Sequence, residues 1–121
     1  MSISKQFLII NRKAPYGRSY GRDAIDVALV AATFNQPTSL LYMDDGVYQL
    51  LKNQAPDLIN QKNSSKILPM LEMYDINNIY VECESLAMRN LAECDLAIVV
   101  KMISSKEVGE LIEQHQVLLG F

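Results

Sequence analysis

Residues able to do chemistry gather at three points where an apolar run gives way to a helical pattern. The first is Tyr16-Gly17-Arg18-Ser19-Tyr20-Gly21-Arg22-Asp23. Successive backbone N–H groups at a helix start favour an anion, and Arg18 or Arg22 would add counter-charge. The glycines are four apart and no Lys-Ser/Thr pair follows, so the stretch is neither a phosphate-cradling P-loop nor a dinucleotide fingerprint. The plain alternative is that Ser19 or Gly21 caps a helix.

The second point is Asp44-Asp45-Gly46-Val47-Tyr48. Paired carboxylates can hold a hard metal ion. They can equally serve the fold, with Asp45 capping the next helix and Asp44 solvated or paired with an arginine of the neighbouring loop. The third is Cys83, between Glu82 and Glu84. A helix start makes a thiol reactive, flanking carboxylates oppose the thiolate, and a free cysteine is ordinarily a small core residue. Cys83 is the one nucleophile that its position recommends.

Cys94 precedes the amino end of a strand, the wrong end for chemistry in an α/β sheet. The single histidine, His115, lies between the last helix and the last strand, where it complements helix C-terminal charge. No Ser-His-Asp set, metal site or cofactor site is assembled from these residues. Tyr42, Tyr48, Tyr74 and Tyr80 with Met70 and Met73 form an amphipathic set, read as core packing or as a protein interface.

The elements that must position these groups follow from periodicity. Buried strands are predicted at residues 7–10, 38–43, 79–82, 96–101 and 116–121. Ala24, Val27, Ala28, Ala31 and Ala32 recur at helical spacing, giving a helix from Gly21 to about Asn35, ahead of Pro37. A short helix follows Asp45, and others are predicted at 67–74 and 85–90. Residues 52–65 read mostly as loop. Ser104 followed by Glu107 marks a capping box for a helix running to about Gln114. Five strands alternating with helices predict an α/β three-layer sandwich, with a mostly parallel, flavodoxin-like sheet covered on both faces.

Length and composition bound the rest. With 121 residues, half of them apolar, the chain is expected to form one domain, 1–121, with a real core. A net charge of −3 without a basic block disfavours direct nucleic-acid binding. No apolar run is long enough for a signal sequence or a membrane span, so a cytoplasmic protein is expected. Two cysteines do not make a disulfide scaffold.

Several landmarks in order carry a resemblance across most of the chain: Ala14-Pro15-x-Gly17, Gly21-Arg22-x-x-x-Asp26, Asp45-Gly46-Val47-x-Gln49-Leu50-Leu51, Pro56-Asp57 and Leu71-x-x-Tyr74-Asp75-Ile76. Together they resemble the DsrE/DsrF family of small sulfur-relay proteins, in its TusC/DsrF-type branch. The resemblance implies a cytoplasmic heterohexamer with related B-type and D-type subunits. It also implies passage of persulfide sulfur from a TusA-like to a TusE-like carrier, for 2-thiolation of tRNA wobble uridine, or a place in sulfur oxidation. In that family the sulfur-carrying cysteine sits chiefly on the D/E-type subunit, just past the third strand. Aligning Ser85-Leu86-Ala87-Met88-Arg89-Asn90-Leu91 with that subunit's helix puts its cysteine at Glu82, one residue before Cys83. The chain is therefore expected to be non-catalytic by itself, with Cys83 as the alternative persulfide carrier. The rim residues Tyr16, Gly17, Arg18, Gly21, Arg22, Asp44, Asp45, Gly46 and Tyr48 are expected to face a neighbouring subunit.

Overall fold

The computed structural model of the chain describes residues 6–13, 20–34, 36–51, 71, 76, 78–96 and 98–121; of residues 20–23 it describes the backbone. Strands and helices alternate as β1 (Phe7–Asn11), α1 (Tyr20–Thr33), β2 (Thr38–Tyr42), a 3₁₀ segment (Asp44–Leu50), β3 (Asn78–Glu82), α2 (Cys83–Met88), β4 (Lys101–Ile103), α3 (Ser105–Glu113) and β5 (Val117–Gly120). The strands form one sheet in the order β4-β3-β2-β1-β5, and every ladder is parallel. The expected α/β architecture is present.

Alternation along the strands divides the core in two. Ile9, Leu40, Tyr42, Ile79 and Val81 face one way, onto Ala24, Ile25 and Ala28 of α1, Val47 and Leu50 of the 3₁₀ segment and Leu86 of α2. Leu8, Leu41 and Ile103 face the other way, onto Val108 and Leu111 of α3. The split follows from the path of the chain. Steps from β1 to β4 all move in one direction across the sheet, whereas the crossover through α3 returns to the far edge. Right-handed crossovers therefore put α3 on the opposite face.

The fourth strand departs from the sequence reading. It is expected at 96–101 but runs Lys101–Ile103. Leu96 instead makes an isolated antiparallel bridge with Leu51, and Leu96 and Val100 are buried in the α1-side core. An apolar run that covers a core has the composition of one that enters a sheet. β3 pairs with β4 only at Tyr80, Val81 and Glu82, which limits the strand to three residues.

The helix expected at 85–90 begins two residues earlier, at Cys83, with Glu82 in the N-cap position. The last helix begins as expected. Ser104 Oγ accepts a hydrogen bond from the Glu107 N–H, and the Glu107 carboxylate accepts one from the Ser104 N–H. The helix expected at 67–74, the loop at 52–65, and Tyr74, Met70 and Met73 lie outside the described residues, apart from Leu71.

Candidate functional site

In an open α/β sheet the ligand crevice lies past the carboxyl ends of adjacent strands whose following connections go to opposite faces. Here those strands are β3, which leads into α2, and β4, which leads into α3. The residues at that crevice are Glu82, Cys83 and Glu84 on one side and Ser104 and Ser105 on the other.

Glu82 is the centre of a hydrogen-bonded chain. It is 8% exposed and lies on the α3 side of the sheet. Its Oε1 accepts from Ser85 Oγ at 2.5 Å, and its Oε2 accepts from Ser105 Oγ at 3.2 Å. Ser85 Oγ in turn accepts from the Asp44 N–H at 2.8 Å. One carboxylate thus ties the ends of β2, β3 and β4 together. Charge-assisted bonds of this kind are about twice as strong as neutral ones. Both Glu82 oxygens are occupied by the protein's own hydroxyls, so the carboxylate works here as a structural tie.

Glu84, on the exposed side of α2, accepts from the Ser105 N–H at 2.5 Å. Hydrogen bonds from Ser105 hold its carboxyl below the usual glutamate range. Cys83 is the first residue of α2 and is half-buried, whereas Cys94 is exposed.

The second rim is built around Asp44 and Asp45. Asp44 adopts a left-handed backbone with φ 51°, a conformation that Asp tolerates better than most residues. The expected Asp45 cap is not formed. Met43 occupies the N-cap position, and no side chain caps the segment. Each aspartate is committed to an arginine instead. Asp44 accepts from Arg12 Nε at 2.9 Å, realising the expected pairing with the loop after β1. Asp45 accepts from Arg89 Nε and Nη2 at 3.2 and 2.9 Å. Arg89 also donates to the Ser85 carbonyl at 3.0 Å and lies over the Tyr48 ring, 5.9 Å from its centroid.

Among the described residues no group of three or more His, Cys, Asp or Glu is placed to hold an ion. Gly46 is fixed by contact, because a Cβ there would fall 2.0 Å from the Asn11 carbonyl oxygen. Gln49 is buried beneath this rim and donates to the Lys13 carbonyl at 2.8 Å.

Of the other predicted rim residues, Tyr16, Gly17 and Arg18 lie outside the described residues. Gly21 and Arg22 are placed in the first turns of α1 by their backbone. Tyr42, from the aromatic set, is wholly buried with no partner for its hydroxyl among the described residues, and burial pushes that phenol's pKa upward. Tyr80 is half-buried beneath Lys101. The tie of Glu82, Ser85 and Ser105 escapes the sequence reading because Ser105 is 23 residues from Glu82. Its one local signal is the Glu82-x-x-Ser85 spacing across a helix start.

No described helix is long and apolar enough to cross a membrane. The model of the DsrE/DsrF-like family matches residues 5–121. The chain is 37% identical to a TusC homolog of Vibrio parahaemolyticus, over 96% of this chain and 98% of that one. It is 35% identical to the intracellular sulfur oxidation protein DsrF of Allochromatium vinosum, over 98% of each. The crystal structure of the ychN protein of E. coli superposes with a TM-score of 0.82 at 19% identity. That match covers 97% of this chain and 99% of that one, and is a likeness of fold.

Proposed function

The chain belongs to the DsrE/DsrF-like family, and on that premise we propose that it is a non-catalytic subunit of a multi-subunit sulfur-relay complex. In this reading it assembles in the cytoplasm with related B-type and D-type chains as a heterohexamer. It supports passage of persulfide sulfur from a TusA-like carrier to a TusE-like carrier for tRNA wobble-uridine thiolation. Relatives of both the TusC and the DsrF name match nearly the whole chain, so sulfur oxidation is the alternative endpoint.

The observation that carries the non-catalytic reading is Glu82. At the place where the resemblance puts the catalytic paralogue's cysteine, this chain has a buried carboxylate with both oxygens bonded by Ser85 and Ser105. The rim of Asp44, Asp45, Gly46 and Tyr48, with Arg12 and Arg89, then serves as the face that meets the partner subunit.

The test is co-expression with the B-type and D-type paralogues, then sulfur transfer by the purified assembly. One stable complex is expected, and Cys83→Ser is expected to leave transfer unchanged. A chain that stays a monomer in the presence of both paralogues overturns the subunit reading.

A second reading has Cys83 carry persulfide itself, favoured by its half-buried thiol at the carboxyl end of β3. It requires a gain of one sulfur atom on Cys83 after exposure to a persulfide donor, and loss of transfer in Cys83→Ser.

A further inference from the structure

A second constellation lies at the opposite, amino end of the sheet, where α3 gives way to β5. His115 Nδ1 is 2.7 Å from the Leu111 carbonyl oxygen. A carbonyl only accepts, so Nδ1 carries a proton, and it is the neutral form of the ring that presents a lone pair at Nε2. That nitrogen lies 3.4 Å from Ser39 Oγ, so the Ser39 hydroxyl is placed to donate to the neutral ring. Ser39 is the second residue of β2 and is 6% exposed. It is 76 residues from His115 in sequence, and the sheet and α3 bring the two together.

A cleft of about 250 Å³ opens over the pair, lined also by Gln6, Asn78, Tyr80 and Gln114. A hydroxyl within reach of a base, with that base oriented by a third group, is the signature of an activated nucleophile. The lining has neutral amides and no carboxylate or guanidinium. It therefore suits an uncharged carbonyl compound better than a phosphate or a metal-bound substrate. Lys101 Nζ donates to Asn78 Oδ1 at 2.7 Å and lies over the Tyr80 ring. With its oxygen so engaged, Asn78 has its amide N–H groups to offer an incoming carbonyl oxygen.

We infer that Ser39 is an acyl-accepting nucleophile with His115 as its general base, and that the cleft takes a small, uncharged carboxylic ester. Ser39 Oγ forms a bond to the ester carbonyl carbon and gives its proton to His115 Nε2. The bond between that carbon and the alkoxy oxygen then breaks, and the leaving alcohol takes the proton from Nε2. Water repeats the sequence to release the acid and restore Ser39. No electron acceptor or donor is needed. This activity is independent of the sulfur-relay reading.

The experiment treats the full chain, alone or co-purified with its paralogues, with a fluorophosphonate probe. Adducts are mapped by mass spectrometry, and p-nitrophenyl acetate turnover is followed in parallel. One adduct is expected, on Ser39, absent in Ser39→Ala. In His115→Gln, labelling of Ser39 and ester turnover are expected to slow by about a hundredfold, in the range of lost general-base catalysis. Circular dichroism and Tm show that both variants are folded. No adduct on the wild-type chain, an adduct only elsewhere, or equal labelling in His115→Gln overturns the inference.

Discussion

Tyr42 and Glu82 are buried polar residues with opposite circumstances. The Tyr42 hydroxyl has no partner among the described residues, so Tyr42→Phe removes an unmet hydrogen-bonding need and is expected to stabilise the fold by about 1 kcal/mol in urea unfolding. Its raised native pKa has a definite sign: the unfolded phenol ionises first. Stability therefore falls as pH rises past the ordinary tyrosine value of about 10, and Tyr42→Phe removes that part of the loss. Glu82→Ala strands the hydroxyls of Ser85 and Ser105 and is expected to cost about 2 kcal/mol. Glu84 works the other way in pH. Its native pKa is lowered by Ser105, so its contribution is present above the ordinary glutamate value and is lost as pH falls through the lowered one. Tm measured against pH should show a shallower acid decline in Glu84→Gln. Cys83 and His115 were legible as residues of interest because their types are rare here. Their surroundings were not, because Ser39 reaches His115, and Ser105 the glutamates beside Cys83, only through the sheet.

Local signals served best where the physics is local. The Ser104–Glu107 box is complete within four residues and is formed as read; Ser104→Ala is expected to lower stability by about 1 kcal/mol. The Asp45 cap is not formed because Arg89, just past α2, offers two N–H groups to one Asp45 oxygen, a partner that no local pattern reveals. The fourth strand moved because burial against α1-side residues, and not pairing, claims Leu96 and Val100. Gly46 shows the same limit. Its place in a rim motif was evident, but the close approach of the Asn11 carbonyl is tertiary. Gly46→Ala must push the 3₁₀ segment off β1, at an expected cost of about 2 kcal/mol or more in chemical denaturation.

At the scale of the molecule, alternation of strands and helices made the layered fold legible, while the strand order depended on long-range pairing. The proposed partner face sits over the ends of β1, β2 and β3 and carries the two arginine–aspartate pairs. Asp45→Lys reverses an exposed charge and repels Arg89, and it is expected to weaken assembly with the paralogues while leaving the fold intact. Size-exclusion chromatography beside circular dichroism separates those outcomes. The pairing of β5 with β1 also sets a timetable. It joins segments whose flanking glutamines, Gln6 and Gln116, are 110 residues apart in sequence. During synthesis β1 is made well before β5, so one of its flanks stays open until residues 117–120 have been made. Sheet closure is therefore a late event, and contacts this distant in sequence close slowly. Until then the nascent chain shows a bare strand to its neighbours, including newly made copies of related subunits.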